Sequence, residues 1–105
     1  MKTPEREIEL IKDRLVRQLS PKKIYLFGSF AEGTADDGSD VDIYIIVKDD
    51  TSNLVDLTAE AYKSIRGVRS RAVDIVIGTE SRFENRKDRA GIENEVMSKG
   101  VLLYG

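Results

Sequence analysis

Three places in the chain carry side chains suited to cation and phosphate chemistry: Gly28-Ser29, Asp40-Val41-Asp42, and Asp74. On a strand, residues two apart project from one face, so Asp40 and Asp42 would stand side by side. Two such carboxylates repel unless a cation lies between them. A divalent ion shared by carboxylates and substrate phosphates meets that need. Asp74 interrupts a second β-branched run, Val73-Asp74-Ile75-Val76-Ile77. If the two strands are neighbours, three acids converge, enough to hold two metal ions of the kind that clamp attacking and leaving oxygens in phosphoryl chemistry. Gly28-Ser29 ends an apolar strand at a helix start, where free backbone N–H groups face an anion. Taken singly, a D-x-D pair is more often a loop cap or a solvated strand edge than a site, and most Gly-Ser pairs are only turns.

The surrounding pattern supplies elements to position these residues. Ile8, Ile11, Leu15 and Leu19 recur at helical steps, and Thr3 and Pro4 suit the N-cap and first turn, so a helix is expected from Pro4 to Leu19. Ile24 to Phe27 reads as a short buried strand, followed by a helical turn at Ser29–Glu32 inside a glycine-containing loop. Val41 to Val47 has the composition of a strand throughout. A second helix is expected from Thr51 to Ile65, capped by Thr51 or Ser52. Ala72 to Ile77 predicts a third strand closed by Gly78. A last helix is expected from Thr79 to Gly100, irregular over the polar stretch Asn85 to Arg89, and Val101 to Tyr104 suits a terminal strand. The order implies one small α/β (α+β) domain over residues 1–105, with a mixed sheet of three to four strands and helices packed on it.

Composition narrows the chemistry. There is no cysteine and no histidine among the 105 residues, so thiolate and imidazole ligands are absent. Oxygen ligands alone favour magnesium, manganese or calcium over zinc. The formal net charge is −2, from 17 basic and 19 acidic side chains, so direct nucleic-acid binding is not expected. The charged N-terminus lacks a signal-peptide core and no apolar run is long enough to span a bilayer, so the expectation is a cytoplasmic protein without membrane contact. Asp36-Asp37 and Asp49-Asp50 read as solvated loop acids. Arg66, Arg69 and Arg71 read as a basic turn that is solvated or meets a phosphate or partner. The apolar tail at Val101 suits pairing with a second copy.

Gly28-Ser29, ten intervening residues and Asp40-Val41-Asp42 together resemble the signature of the polymerase-beta-like nucleotidyltransferase superfamily. The longer string GSFAEGTADDGSDVDIYIIV, residues 28 to 47, is similar to the minimal nucleotidyltransferases (MNT), the antitoxin partners of HEPN toxins. The likeness extends over nearly the whole chain, from the leading helix through Asp74 to Gly100 and the closing Val101-Leu-Leu-Tyr104. It implies that Asp40 and Asp42 bind the Mg2+ ions carrying a nucleoside triphosphate. Asp74 would complete the catalytic metal site and help deprotonate the attacking hydroxyl. Gly28 and Ser29 would hold the terminal phosphates, and Ser39 would add a phosphate or metal-water contact. The implied reaction transfers AMP from ATP to a hydroxyl, a tyrosine of a cognate HEPN toxin, with two Mg2+ ions in the active complex. Two alternatives stay open: a fold that silences a toxin by binding alone, and a nucleotidyltransferase for a small molecule. The chain departs from the common pattern at Phe30 and Glu32, positions that often carry a basic residue in such proteins. Lys48, Arg66, Arg82 or Lys87 would then have to neutralise the phosphates. Tyr44, on the face of Asp40 and Asp42, could border a base pocket.

Overall fold

The structure, a computed structural model, describes residues 3–105. Helix α1 spans Pro4–Leu19, with Pro4 in its first turn and the Thr3 hydroxyl accepting the Arg6 N–H. It leads into strand β1, Lys23–Phe27, and the short helix α2, Ser29–Glu32. Strand β2, Val41–Val47, is followed by helix α3, Leu54–Ser64, and strand β3, Val73–Thr79. Helices α4, Glu80–Arg86, and α5, Ile92–Lys99, precede the closing strand β4, Val101–Tyr104. The strands form one mixed sheet in the order β3-β2-β1-β4. β1 runs antiparallel to both β2 and β4, whereas β2 and β3 are parallel, joined through α3.

Alternation along the strands builds two cores. Ile24 and Leu26, Val41, Ile43, Ile45 and Val47, and Val73, Ile75 and Ile77 face one side of the sheet. They pack there against Ile8, Ile11 and Leu15 of α1 and Ala61 and Ile65 of the α3 side. Fully burying a side chain of this size is worth about 1.5–3 kcal/mol, so this layer supplies most of the hydrophobic stabilisation. The opposite face carries a smaller core, Phe27, Tyr44 and Ile46 under Phe83 of α4 and Val96 of α5. Those two helices cover only part of that face, and Asp42 and Asp74 lie on it where the cover ends.

Three local expectations are corrected. α3 begins at Leu54, and its cap is Asn53, with φ of 53° and its carboxamide oxygen accepting the Asp56 N–H; Thr51 and Ser52 lie ahead of it. Asn tolerates the left-handed region that a threonine resists. Gly78 does not close β3 but sits inside it, because a Cβ there would collide with the Tyr44 hydroxyl. The last helix is two helices, divided at residues 87–91 in the polar stretch, where Gly91 adopts a φ of 151°.

Two glutamates are buried, and each is satisfied. Glu7 accepts the Ser70 backbone N–H at 2.7 Å and its hydroxyl at 2.6 Å, with Arg71 Nε at 3.6 Å. Burial alone would raise its pKa, but the Ser70 hydrogen bonds and the Arg71 charge outweigh it and hold the carboxyl below its ordinary value. Glu7 therefore ties the loop before β3 to α1. Breaking such a pair costs about 3 kcal/mol, because it strands the partner; Glu7→Ala should lose roughly that much in urea unfolding. The depressed pKa makes the Glu7 contribution full above the unfolded value and lost as pH falls through the folded one. The deficit of the variant should therefore shrink in acid.

Candidate active site

The parallel register of β2 and β3 sets Val41 beside Val73, Asp42 beside Asp74 and Ile43 beside Ile75. Asp42 and Asp74 consequently share the open face, and their carboxyl groups are close enough to hydrogen-bond when one is protonated. The antiparallel register on the other flank pairs Asp42 with Phe27, which brings the next residue, Gly28, against the same carboxylate. Gly28 has φ 75° and ψ −157°, a backbone open to glycine alone, and a Cβ there would collide with Asp42 Oδ2. Glycine is thus required twice over, by conformation and by the close approach of Asp42.

Asp40 lies one residue before β2 and is exposed. It is near enough for its charge to act on Asp42, but it is not part of the strand face as the D-x-D spacing predicts. Among the described residues no three acidic side chains form a ready-made cation cage. Asp42 and Asp74 are the tight pair, with Asp40 standing off. This oxygen-only donor set fits a hard divalent ion whose remaining ligands come from a substrate phosphate or water.

Electrostatics sets Asp42 apart from the buried glutamates. Burial raises its pKa first, then the negative charges of Asp74 and Asp40, to about 6. Glu95 of α5 adds in the same direction. Among the described residues no hydrogen-bond donor or cation is paired with Asp42, so it lacks a counter-charge that a cation would provide.

Ser29 opens α2 beside Gly28, whose carbonyl accepts the N–H groups of Ala31 and Glu32. The Ser39 hydroxyl donates to Asp36 Oδ1 at 3.2 Å and accepts the Asp36 N–H at 2.9 Å, closing the loop before Asp40. Ser39 is thus engaged within its own turn, and Asp36 is the exposed loop acid expected, forming that turn as well. Asp49 is likewise an exposed loop acid, and it also accepts the Ser81 N–H at 2.7 Å at the start of α4. Tyr44 is fully buried and donates to Glu93 Oε2 at 2.8 Å, so it supports the floor of the site and borders no base pocket.

The two departures at positions 30 and 32 both meet cations in the fold. The Arg71 guanidinium carbon stands 5.2 Å from the centre of the Phe30 ring, and Lys99 Nζ lies 3.9 Å from Glu32. Arg71 is three residues ahead of Asp74, so a positive charge returns to α2 from a distant segment. The sequence pattern did not signal this, because Arg71 reads only as part of a basic turn.

The sign of the Asp42 shift can be measured. Its ionised form is disfavoured in the fold, so the folded chain holds a proton that the unfolded chain releases. Stability from this group is full below about 3.8 and fades as pH rises through about 6. The Asp42 carboxyl carbon resonance should titrate near 6 without divalent ions, fall in Asp74→Asn, and fall further with millimolar magnesium. A titration unchanged in all three conditions would contradict the carboxylate coupling.

Comparison with known proteins identifies the family and the fold. The family model described as "Nucleotidyltransferase domain" matches residues 8–103. A Methanocaldococcus jannaschii protein named "Putative protein adenylyltransferase" is 31% identical over 83 residues, 79% of this chain and 78% of its own. Among solved structures, a toxin-antitoxin with AMP-PNP is 28% identical, with a TM-score of 0.60, covering 94% of this chain and 73% of its own. The toxin-antitoxin MntA-HpeT, solved with two aspartates two positions apart changed to glutamate, is 25% identical with a TM-score of 0.61, over 94% of this chain and 73% of its own. By its match to that family model over most of its length and its 31% identity to that relative, the chain belongs to the nucleotidyltransferase domain family.

Proposed function

We infer that the chain transfers AMP from ATP to a hydroxyl of a partner protein, with magnesium bound by Asp42, Asp74 and Asp40. The observation that carries this reading is the contact of Asp42 with Asp74 across β2 and β3, with Gly28 packed against it. Gly28 and Ser29 hold the terminal phosphates at the start of α2, while Arg71 and Lys99 offset charge nearby. Ser39 acts by closing the turn that presents Asp40. Magnesium, when bound, screens the phosphate oxygens and lowers the cost of charge at the α-phosphorus. The acceptor oxygen attacks that phosphorus and its proton passes to the Asp74 carboxylate. The bond from the α-phosphorus to the bridging oxygen breaks, and pyrophosphate leaves. Positioning and electrostatics carry the rate, so the lack of histidine is no obstacle.

The named relatives favour a protein acceptor: one is called a protein adenylyltransferase and others are toxin-antitoxin assemblies. In this reading the chain is an antitoxin and its acceptor is a tyrosine of a HEPN toxin. The reading in which the fold neutralises its partner by binding alone differs in one respect, since it does not need Asp42 or Asp74 ionised.

Incubation with α-labelled ATP, magnesium and the protein encoded beside this chain should label that protein. Asp42→Ala and Asp74→Ala should each reduce labelling by about a hundredfold or more, the scale expected when charge stabilisation at the reacting centre is removed. Inhibition of the partner by these variants without any labelling would overturn the enzymatic assignment. Gly28→Ala should lose labelling as well, because its Cβ displaces Asp42. Magnesium with ATP at a hundred times the dissociation constant should stabilise the wild-type fold by about 2.7 kcal/mol, read as a rise in melting temperature.

A further inference from the structure

The open face of the sheet carries a second charged feature that the phosphate cradle does not use. Arg82, Arg86 and Arg89 recur at helical steps along α4 and just past its end. With Gly91, Ile92 and Glu93 they line a cavity of about 340 Å³, within the range of small-ligand sites. Their anionic neighbour is already committed. Glu93 is 3% exposed and accepts both the Tyr44 hydroxyl at 2.8 Å and Arg82 Nε at 3.2 Å. Arg89 is held by two hydrogen bonds to the Asn85 carbonyl in the last turn of α4, and the Arg86 side chain makes no hydrogen bond or ion pair among the described residues. Like charges at these spacings destabilise a helix, so the cluster carries a cost that an incoming anion would relieve. The start of α5 borders the same cavity, with Gly91, Ile92 and Glu93 in its lining.

Position decides which anion. Gly28 lies at the end of β1, on one side of Asp42. Arg82 lies over β3 on the other side, its Cδ 3.5 Å from where a Cβ of Gly78 would stand. A triphosphate gripped at Gly28 with its α-phosphorus at Asp42 points away from the arginines. The cavity therefore sits on the acceptor side. Asp74 and Gly78 are four residues apart on one strand, about 13 Å, the span of three to four residues of extended peptide. Separate guanidinium forks suit separate carboxylates. A nucleic-acid strand is disfavoured by the chain's net charge of −2 and by Glu80, Glu84 and Asp88 on and beside the same helix.

We propose that this arginine-lined cavity recognises an acidic segment of the protein acceptor, three to four residues from the hydroxyl presented to Asp42 and Asp74. This rests on the nucleotidyl-transfer reading and names its substrate class. The test is fluorescence anisotropy with the full chain, without nucleotide or divalent ion. The probes are a tyrosine peptide with glutamates three and four residues from the tyrosine, its glutamine counterpart, and a labelled oligoadenylate. The glutamate peptide should bind about fivefold more tightly than the glutamine peptide, the worth of a partly exposed ion pair. The double variant Arg86→Ala, Arg89→Ala should erase that preference while the chain stays folded by circular dichroism, and the lysine versions should keep part of it. Equal binding of the two peptides, or tighter oligoadenylate binding with the same arginine dependence, overturns the proposal. Asp42→Asn keeps the peptide preference whether or not it transfers label. Failure of the wild-type chain to label its partner, with the peptide preference intact, thus counts against the transfer reading alone.

Discussion

The site depends on one pairing, the parallel in-register alignment of β2 with β3 that places Asp42 opposite Asp74. Two carboxylates side by side are unfavourable, so the strands must be held together by something stronger than their own charges. Ile43, Ile45 and Val47 beside Ile75, Ile77 and the α3 helix provide it, buried on the face away from the acids. Tyr62 adds to this at the exposed edge, its hydroxyl accepting the Ile75 N–H at 2.8 Å next to Asp74. A slip of one residue in this register would turn Asp74 into the core and Ile75 to solvent, and the period of two makes that slip prohibitive.

The same chain shows how it treats an acid that is meant to be settled. Glu7 and Glu93 are more deeply buried than Asp42, yet donors from Ser70, Arg71, Tyr44 and Arg82 leave both carboxyls with lowered pKa values. At Asp42 burial acts together with the neighbouring carboxylates, and its pKa rises to about 6. Burial pushes all three upward; donors overcome it at Glu7 and Glu93, while at Asp42 neighbouring carboxylates add to it. The fold has therefore kept one acid unsatisfied beside a glycine-opened backbone, where cation and phosphate would complete it.

Much of this was legible in the sequence because it followed from short periods. The alternation of β2, the helical steps of α1, the Thr3-Pro4 start and the Gly28, Ser29, Asp42 and Asp74 positions all emerge from local spacing. Asp74 could be singled out because a charge inside a β-branched strand needs a reason. Long-range and context-dependent features were not legible. Asn53 displaced Thr51 and Ser52 as a cap through a left-handed backbone. Gly78 reads as a stop, yet it continues a strand because a side chain from β2 fills its space. Tyr44 shared a face with the acids but was drawn into a buried hydrogen bond by Glu93, a residue on a helix that spacing did not separate from its predecessor. Arg71 reached Phe30 only through the folding of the loop onto α1.

Gly78 and Tyr44 carry a consequence for how this chain can change over time. The tyrosine hydroxyl occupies the space where any other residue at 78 would place its first carbon. Shortening Tyr44 would free that space but strip Glu93 of a donor, and filling position 78 first would push the ring away from Glu93. Neither single step is neutral, so the two sites form an epistatic pair. Relatives that lack the glycine should also lack the tyrosine, and with it the glutamate that the hydroxyl serves.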